Sequence, residues 1–143
     1  MRSDMKKLAL LAALSFSLVL LTGCGQKPEE VVNEYLQLIM VGKIHEATYL
    51  CTGDAFKVTK AVEGAPAAGK GFNYLIVTSW PEIEPTLKYS VASTAPYKAD
   101  VTVNSNGTEV AVYSLIKEND KWKISEAPPP NVAWTKIMDA IHQ

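Results

Sequence analysis

The chain has 143 residues, 48% of them hydrophobic, with 14 Lys and Arg against 15 Asp and Glu, 2 Cys and 2 His. That length and composition suit one globular domain, not two. The near-zero charge balance provides no basic field for neutralising phosphates and so argues against nucleic acid. Two cysteines cannot build a disulfide scaffold, and two histidines cannot build a His-rich metal centre.

In chain order, Arg2, Lys6 and Lys7 come first, followed by Leu8 to Leu21, a run that is apolar except for Ser15 and Ser17. A membrane-spanning helix takes about 20 apolar residues, so this shorter run reads as a secretory signal. The following Leu21-Thr22-Gly23-Cys24 resembles the lipobox of bacterial lipoproteins. That resemblance implies cleavage before Cys24 and a diacylglyceryl group on its thiol, with residues 1–23 the signal peptide and 24–27 the lipidated anchor and short tether. The chain from Cys24 onward has 11 basic and 14 acidic side chains, a balance of −3. Two or three acyl chains anchor a protein stably where one does not, so the expected location is the cell envelope. The domain would sit at the outer side of the cytoplasmic membrane or at the outer membrane, with the membrane itself as a partner through the anchor. Cys51 then has no intramolecular partner, and its helical register with Ile44, Ala47 and Thr48 predicts a small buried side chain.

Pro28-Glu29-Glu30 suits a first helical turn, and Val31, Val32, Tyr35, Leu36, Leu38 and Ile39 form one wide apolar face that ends at Gly42. A shorter helix is predicted from Lys43 to Thr52, stopping at Gly53. Asp54 to Glu63 fits a strand or a third helix, and so does the apolar run from Phe72 to Trp80. Between them, Gly64-Ala-Pro-Ala-Ala-Gly-Lys-Gly71 comes close to a phosphate-binding loop. It has Gly71 where the hydroxyl residue belongs and Pro66 where a backbone donor is needed, so it reads as a surface loop. Pro81, Glu82, Glu84 and Pro85 read as a solvated turn.

From Thr86 the hydrophobic period changes to two: Leu87/Tyr89/Val91, Ala99/Val101/Val103, Val110/Val112/Ser114/Ile116 and Trp122/Ile124. These sets predict four antiparallel strands, with Asn106-Gly107 and Asn119-Asp120 as hairpin turns. Helices followed by a meander indicate the α+β class. Asn106-Gly107-Thr108 also matches a glycosylation sequon, but it falls on a hairpin turn and the lipobox points to a bacterium.

The run from Pro28 to Leu36, the Gly42-Lys43 break, the second helix with Ala47 and Tyr49, and the closing Asp120-Lys-Trp-Lys-Ile124 carry a wider resemblance. Over roughly Pro28 to Glu126 the chain resembles small bacterial lipoproteins of unknown function with a nuclear transport factor 2-like, or cystatin-like, fold. The resemblance implies N-terminal helices packed on a curved antiparallel sheet that forms a cone, and it carries over no catalytic residue. For such a cone the candidate pocket residues are Tyr35, His45, Tyr49 and Trp122. His45 and Tyr49 stand four residues apart, yet Asp100 and Glu109 lie on the polar phase of their strands, so no inward base is evident. Asp139 and His142 read as a solvated pair, and no metal or cofactor is expected.

The domain proper is taken as 28–127, with 128–143 a proline spacer and a C-terminal helix. Pro128 to Pro130 suit a polyproline spacer, Asn131 suits an N-cap, and Trp134, Ile137, Met138 and Ile141 form an apolar face. That face is expected to dock on the opposite side of the third strand, at Ala111, Tyr113 and Leu115, or else to be a candidate partner face. The functional expectation is a non-enzymatic module that binds a small apolar ligand or a membrane-proximal envelope protein. The alternatives are an acid/base isomerase or dehydratase using His45 and a structural envelope protein without ligand.

Overall fold

The computed structural model describes residues 25–63 and 80–142. The expected signal peptide, Cys24, the glycine-rich stretch 64–71 and residues 72–79 of the apolar run lie outside the described residues. Three helices come first, α1 (Pro28–Met40), α2 (Ile44–Thr48) and α3 (Gly53–Glu63). Residues 80–83 are helical and run into a 3-10 turn, Glu84–Thr86. Strands β1 (Leu87–Ala95), β2 (Lys98–Ser105), β3 (Thr108–Glu118) and β4 (Lys121–Glu126) follow, and α4 (Pro130–Ile141) closes the chain. The class is α+β with one four-stranded antiparallel sheet in the order β1-β2-β3-β4.

The local signals act as their chemistry requires. Pro28 opens α1, and the Glu30 carboxylate accepts the Lys27 backbone N–H at 3.2 Å, satisfying one of the helix's orphan donors. Gly42 takes φ +84° just past the end of α1, where a residue with a Cβ would be strained. Asn106 (φ 52°) and Gly107 (φ 84°) both adopt the left-handed region that a two-residue hairpin turn needs, as do Asn119 and Asp120.

Register decides which face of the sheet is buried. Val101 pairs with Tyr113, Val103 with Ala111 and Leu115 with Ile124, so these side chains share a face with Leu87 and Tyr89. All but Tyr89, which packs half-buried against the core, are buried. The face bearing Lys88, Ser90, Thr102, Val112 and Ser114 is exposed or half-exposed, and Val112 is 44% exposed. The described helices therefore share the other face. Tyr35 of α1 meets Tyr113 edge to face, with ring centroids 5.8 Å apart.

Four sequence expectations are corrected. Asn104 pairs with Glu109 while Val103 pairs with Ala111, so Val110 is a bulge residue and the phase of β3 flips after it. Ala111, Tyr113 and Leu115 therefore face α1, and Val112, Ser114 and Ile116 face outward. The second helix ends at Thr48, because Cys51 leaves it to form a parallel bridge with Ile124. Gly53 begins α3 instead of ending α2. Asn131 lies inside α4, where its carbonyl accepts the Thr135 hydroxyl at 2.9 Å, and Pro129 occupies the N-cap position. Asp54 to Glu63, left open between strand and helix, is helical.

The tail docks on its own domain, though not on a second sheet face. Ala133, Trp134, Ile137 and Ala140 of α4 are buried in the same core as α1 and β3, with Met138 and Ile141 half-buried beside them. The candidate partner face is thus satisfied in cis. Replacing Trp134 by Ala should cost about 3–5 kcal/mol of unfolding free energy, as deletion of a buried aromatic does. Val112→Thr on the open face should change it by less than about 0.5 kcal/mol. Denaturant titration of the two variants checks both values, and comparable losses would mean that the sheet buries both faces.

Candidate functional site

The first candidate site is built at the start of α1. Gln26, Glu29, Glu30, Asn33, Glu34, Gln37 and Tyr89 line an open groove of about 430 Å³. Its walls are cross-linked by side chains: Gln26 Nε2 donates to Glu34 Oε2 at 3.1 Å and Tyr89 Oη donates to Asn33 Oδ1 at 2.7 Å. Asn33 Nδ2 reaches Glu84 Oε2 at 3.4 Å. One carboxylate oxygen of Glu29 is buried with no hydrogen-bond partner among the described residues. Burial raises the Tyr89 phenol above its ordinary value and the Glu84 charge pushes it the same way, so Tyr89 stays a donor at neutral pH. Carboxylates and amide oxygens dominate this surface. It matches a cationic or donor-rich group and repels an anionic one.

The interior between helices and sheet is a different environment. Thr59 Oγ1 donates to the Ala55 carbonyl at 2.7 Å, which uses its single proton, so Tyr35 Oη is the donor in the 2.8 Å contact with Thr59. The Cys51 thiol stands 3.5 Å from the Ala47 carbonyl. Desolvation pushes Cys51 up from 9.0 to about 11 and raises Tyr35 and Tyr113 as well. Among the described residues the buried polar side chains here are Thr48, Thr59 and Ser105, beside the Cys51 thiol and the Tyr35 and Tyr113 phenols.

The four residues named for a pocket do not converge. Tyr35 is a core residue, 1% exposed. Trp122 is half-buried on β4, with Lys117 Nζ 5.5 Å from its ring centroid. His45 and Tyr49 do meet, but at the surface, and Glu63 joins them. His45 Nδ1 is 3.0 Å from Glu63 Oε1, and His45 Nε2 is 3.0 Å from Tyr49 Oη. The sequence could not show this contact, because Glu63 is 18 residues from His45 on a segment whose helical character was undecided. The helical spacing of Ala55, Thr59 and Val62 was the available signal, and it places Glu63 at the end of that helix.

No group of three or more His, Cys, Asp and Glu side chains suited to a metal occurs among the described residues. His142 Nδ1 lies 2.8 Å from the Met138 carbonyl, a local contact at the end of α4. Among the described residues no helix is long and apolar enough to cross a membrane. Comparisons with family models, curated proteins and solved structures found no match to this chain.

The raised thiol and phenols carry a pH consequence. Each of these groups holds its proton in the folded state to a higher pH than it does unfolded, so their contribution to stability is complete below their ordinary values. It is lost as pH rises through the folded ones. For Cys51 that window runs from 9.0 to about 11. Unfolding free energy measured by denaturant at pH 8, 9 and 10 should fall chiefly between pH 9 and pH 10, and native Cys51 should resist iodoacetamide at pH 8 while the denatured chain reacts. Rapid alkylation of the native protein would contradict the burial argument.

Proposed function

We propose that this chain is a bacterial lipoprotein, cut before Cys24 and lipidated there, whose domain is a non-enzymatic binding module at the cell envelope. We assign the fold to the nuclear transport factor 2-like, or cystatin-like, group. Helices ahead of a four-stranded meander, packed on one sheet face among the described residues, support that assignment. One observation carries the functional reading: Gln26, two residues beyond Cys24, is itself part of the groove wall. Between Cys24 and Pro28 lie only three residues, which reach about 10–14 Å when extended. The anchor would therefore hold the groove beside the headgroup layer. An acidic groove there is not suited to anionic lipid, so the partner we assign is a membrane-proximal envelope protein presenting a basic or donor-rich segment. The surface position of His45 gives a cone-pocket isomerase or dehydratase no support.

Two experiments test this reading. Cys24→Ser should abolish incorporation of labelled fatty acid and leave precursor uncleaved; label on the variant would refute lipidation. A photo-crosslinking residue at Gln37 in cells should capture an envelope protein. Glu30→Lys combined with Glu34→Lys should reduce that product by about tenfold, since reversing two rim charges removes the complementarity. A flexible insertion of about 20 residues after Gly25, which lets the domain move tens of Å from the surface, should also lower it. Crosslinking unchanged by both alterations would leave the groove without a role.

A further inference from the structure

The surface cluster on α2 and the end of α3 is a directed chain of three groups. A carboxylate only accepts hydrogen bonds, so the 3.0 Å contact with Glu63 Oε1 places the neutral imidazole's proton on Nδ1 of His45. Nε2 is then a lone pair, and it must accept the Tyr49 hydroxyl in the second 3.0 Å contact. The imidazole and phenol rings stand edge to face at 5.2 Å and 80°, which keeps the hydroxyl aligned on the nitrogen. Lys60 Nζ, 4.0 Å from the other Glu63 oxygen, holds the carboxylate from its far side. A base oriented by a carboxylate and hydrogen-bonded to a hydroxyl is the arrangement that activates an oxygen nucleophile. Tyr49 is also open to reagents, being 63% exposed.

We propose that Tyr49 is a general-base-activated phenol, an acceptor site for the acyl group of an activated ester or thioester. In the step, the Tyr49 oxygen forms a bond to the acyl carbon and the bond from that carbon to the leaving oxygen or sulfur breaks. The phenolic proton passes to Nε2 of His45, and the imidazolium is stabilised by Glu63. The leaving anion takes its proton from His45 or from water. No oxidant or cofactor enters the balance. The site lies at the opposite end of α1 from the groove and does not depend on the lipoprotein reading.

The protein contains its own control. Tyr97 is 57% exposed, comparable with the 63% of Tyr49, and among the described residues its hydroxyl has no base at hydrogen-bonding distance. The full chain, purified in detergent, is treated with p-nitrophenyl acetate and the acetylated residues are mapped and timed by mass spectrometry. Tyr49 should acetylate at least about tenfold faster than Tyr97, a floor set below the roughly 10²–10⁴-fold that general-base assistance supplies. His45→Gln should bring Tyr49 down to the Tyr97 rate, Glu63→Gln should lower it partway, and Tyr49→Phe should remove the product. All three side chains lie at the surface, and circular dichroism of each variant verifies the fold. Equal rates for the two tyrosines in the native protein, an unchanged Tyr49 rate in His45→Gln, or acetylation of His45 with Tyr49 untouched would each overturn the proposal.

Discussion

The short parallel bridge between residues 50–52 and β4 determines how the two halves of the molecule fit together. The Thr52 N–H donates to the Ile124 carbonyl at 2.8 Å, and the Ile124 N–H donates to the Leu50 carbonyl at 2.9 Å. Those two bonds cap one edge of the sheet, a surface otherwise left with unpaired donors and acceptors. They also force the chain out of helix after Thr48 and bring Cys51 into the core. The left-handed Gly53 (φ +57°) then restarts the chain as α3. Everything on the helical side inherits its position from this crossing. Thr59 comes under Tyr35, and Glu63 comes beside His45.

The same bridge explains where the sequence was legible and where it was not. Features set by near neighbours could be read directly: Pro28 and Gly42 at the ends of α1, the Asn-Gly and Asn-Asp turns, the order of helices before strands. Features set by distant neighbours could not. Helical spacing through Cys51 is genuine as a pattern, but a partner more than 70 residues away outweighs a weak local preference for helix. The phase of β3 was misread for a related reason. Val110, Val112 and Ile116 fall on one phase of that strand and Ala111, Tyr113 and Leu115 on the other, so alternation alone does not choose a face. The choice is made by the bulge at Val110 and by the aromatic contact of Tyr113 with Tyr35.

The polar chemistry is divided in the same way. At the start of α1 it consists of residues three and four apart on one helix, together with Tyr89 from the neighbouring strand. At the far end it consists of one short helix and the last residue of the next. A helix of 13 residues spans about 20 Å, so the two surfaces are separated by roughly the width of the core. Neither draws on the buried tyrosines and the thiol, whose hydrogen bonds are all internal to the packing and whose role is to specify how α1, α3 and the sheet fit.

The apolar face of α1 also has a history in time. Val31, Val32, Tyr35, Leu36, Ile39 and Met40 find their cover mainly on strands that begin at Leu87, with α4 still further along. At synthesis rates of about 5–20 residues per second, that face exists for several seconds before the first strand is made and longer before β3 is complete. A thirteen-residue helix with nothing to lie on is marginal in water. The N-terminal third of the chain must therefore spend its early life as an unfolded segment rich in valine, leucine and isoleucine. Whatever holds it during that interval recognises exposed apolar chain, and it must let go when the meander arrives.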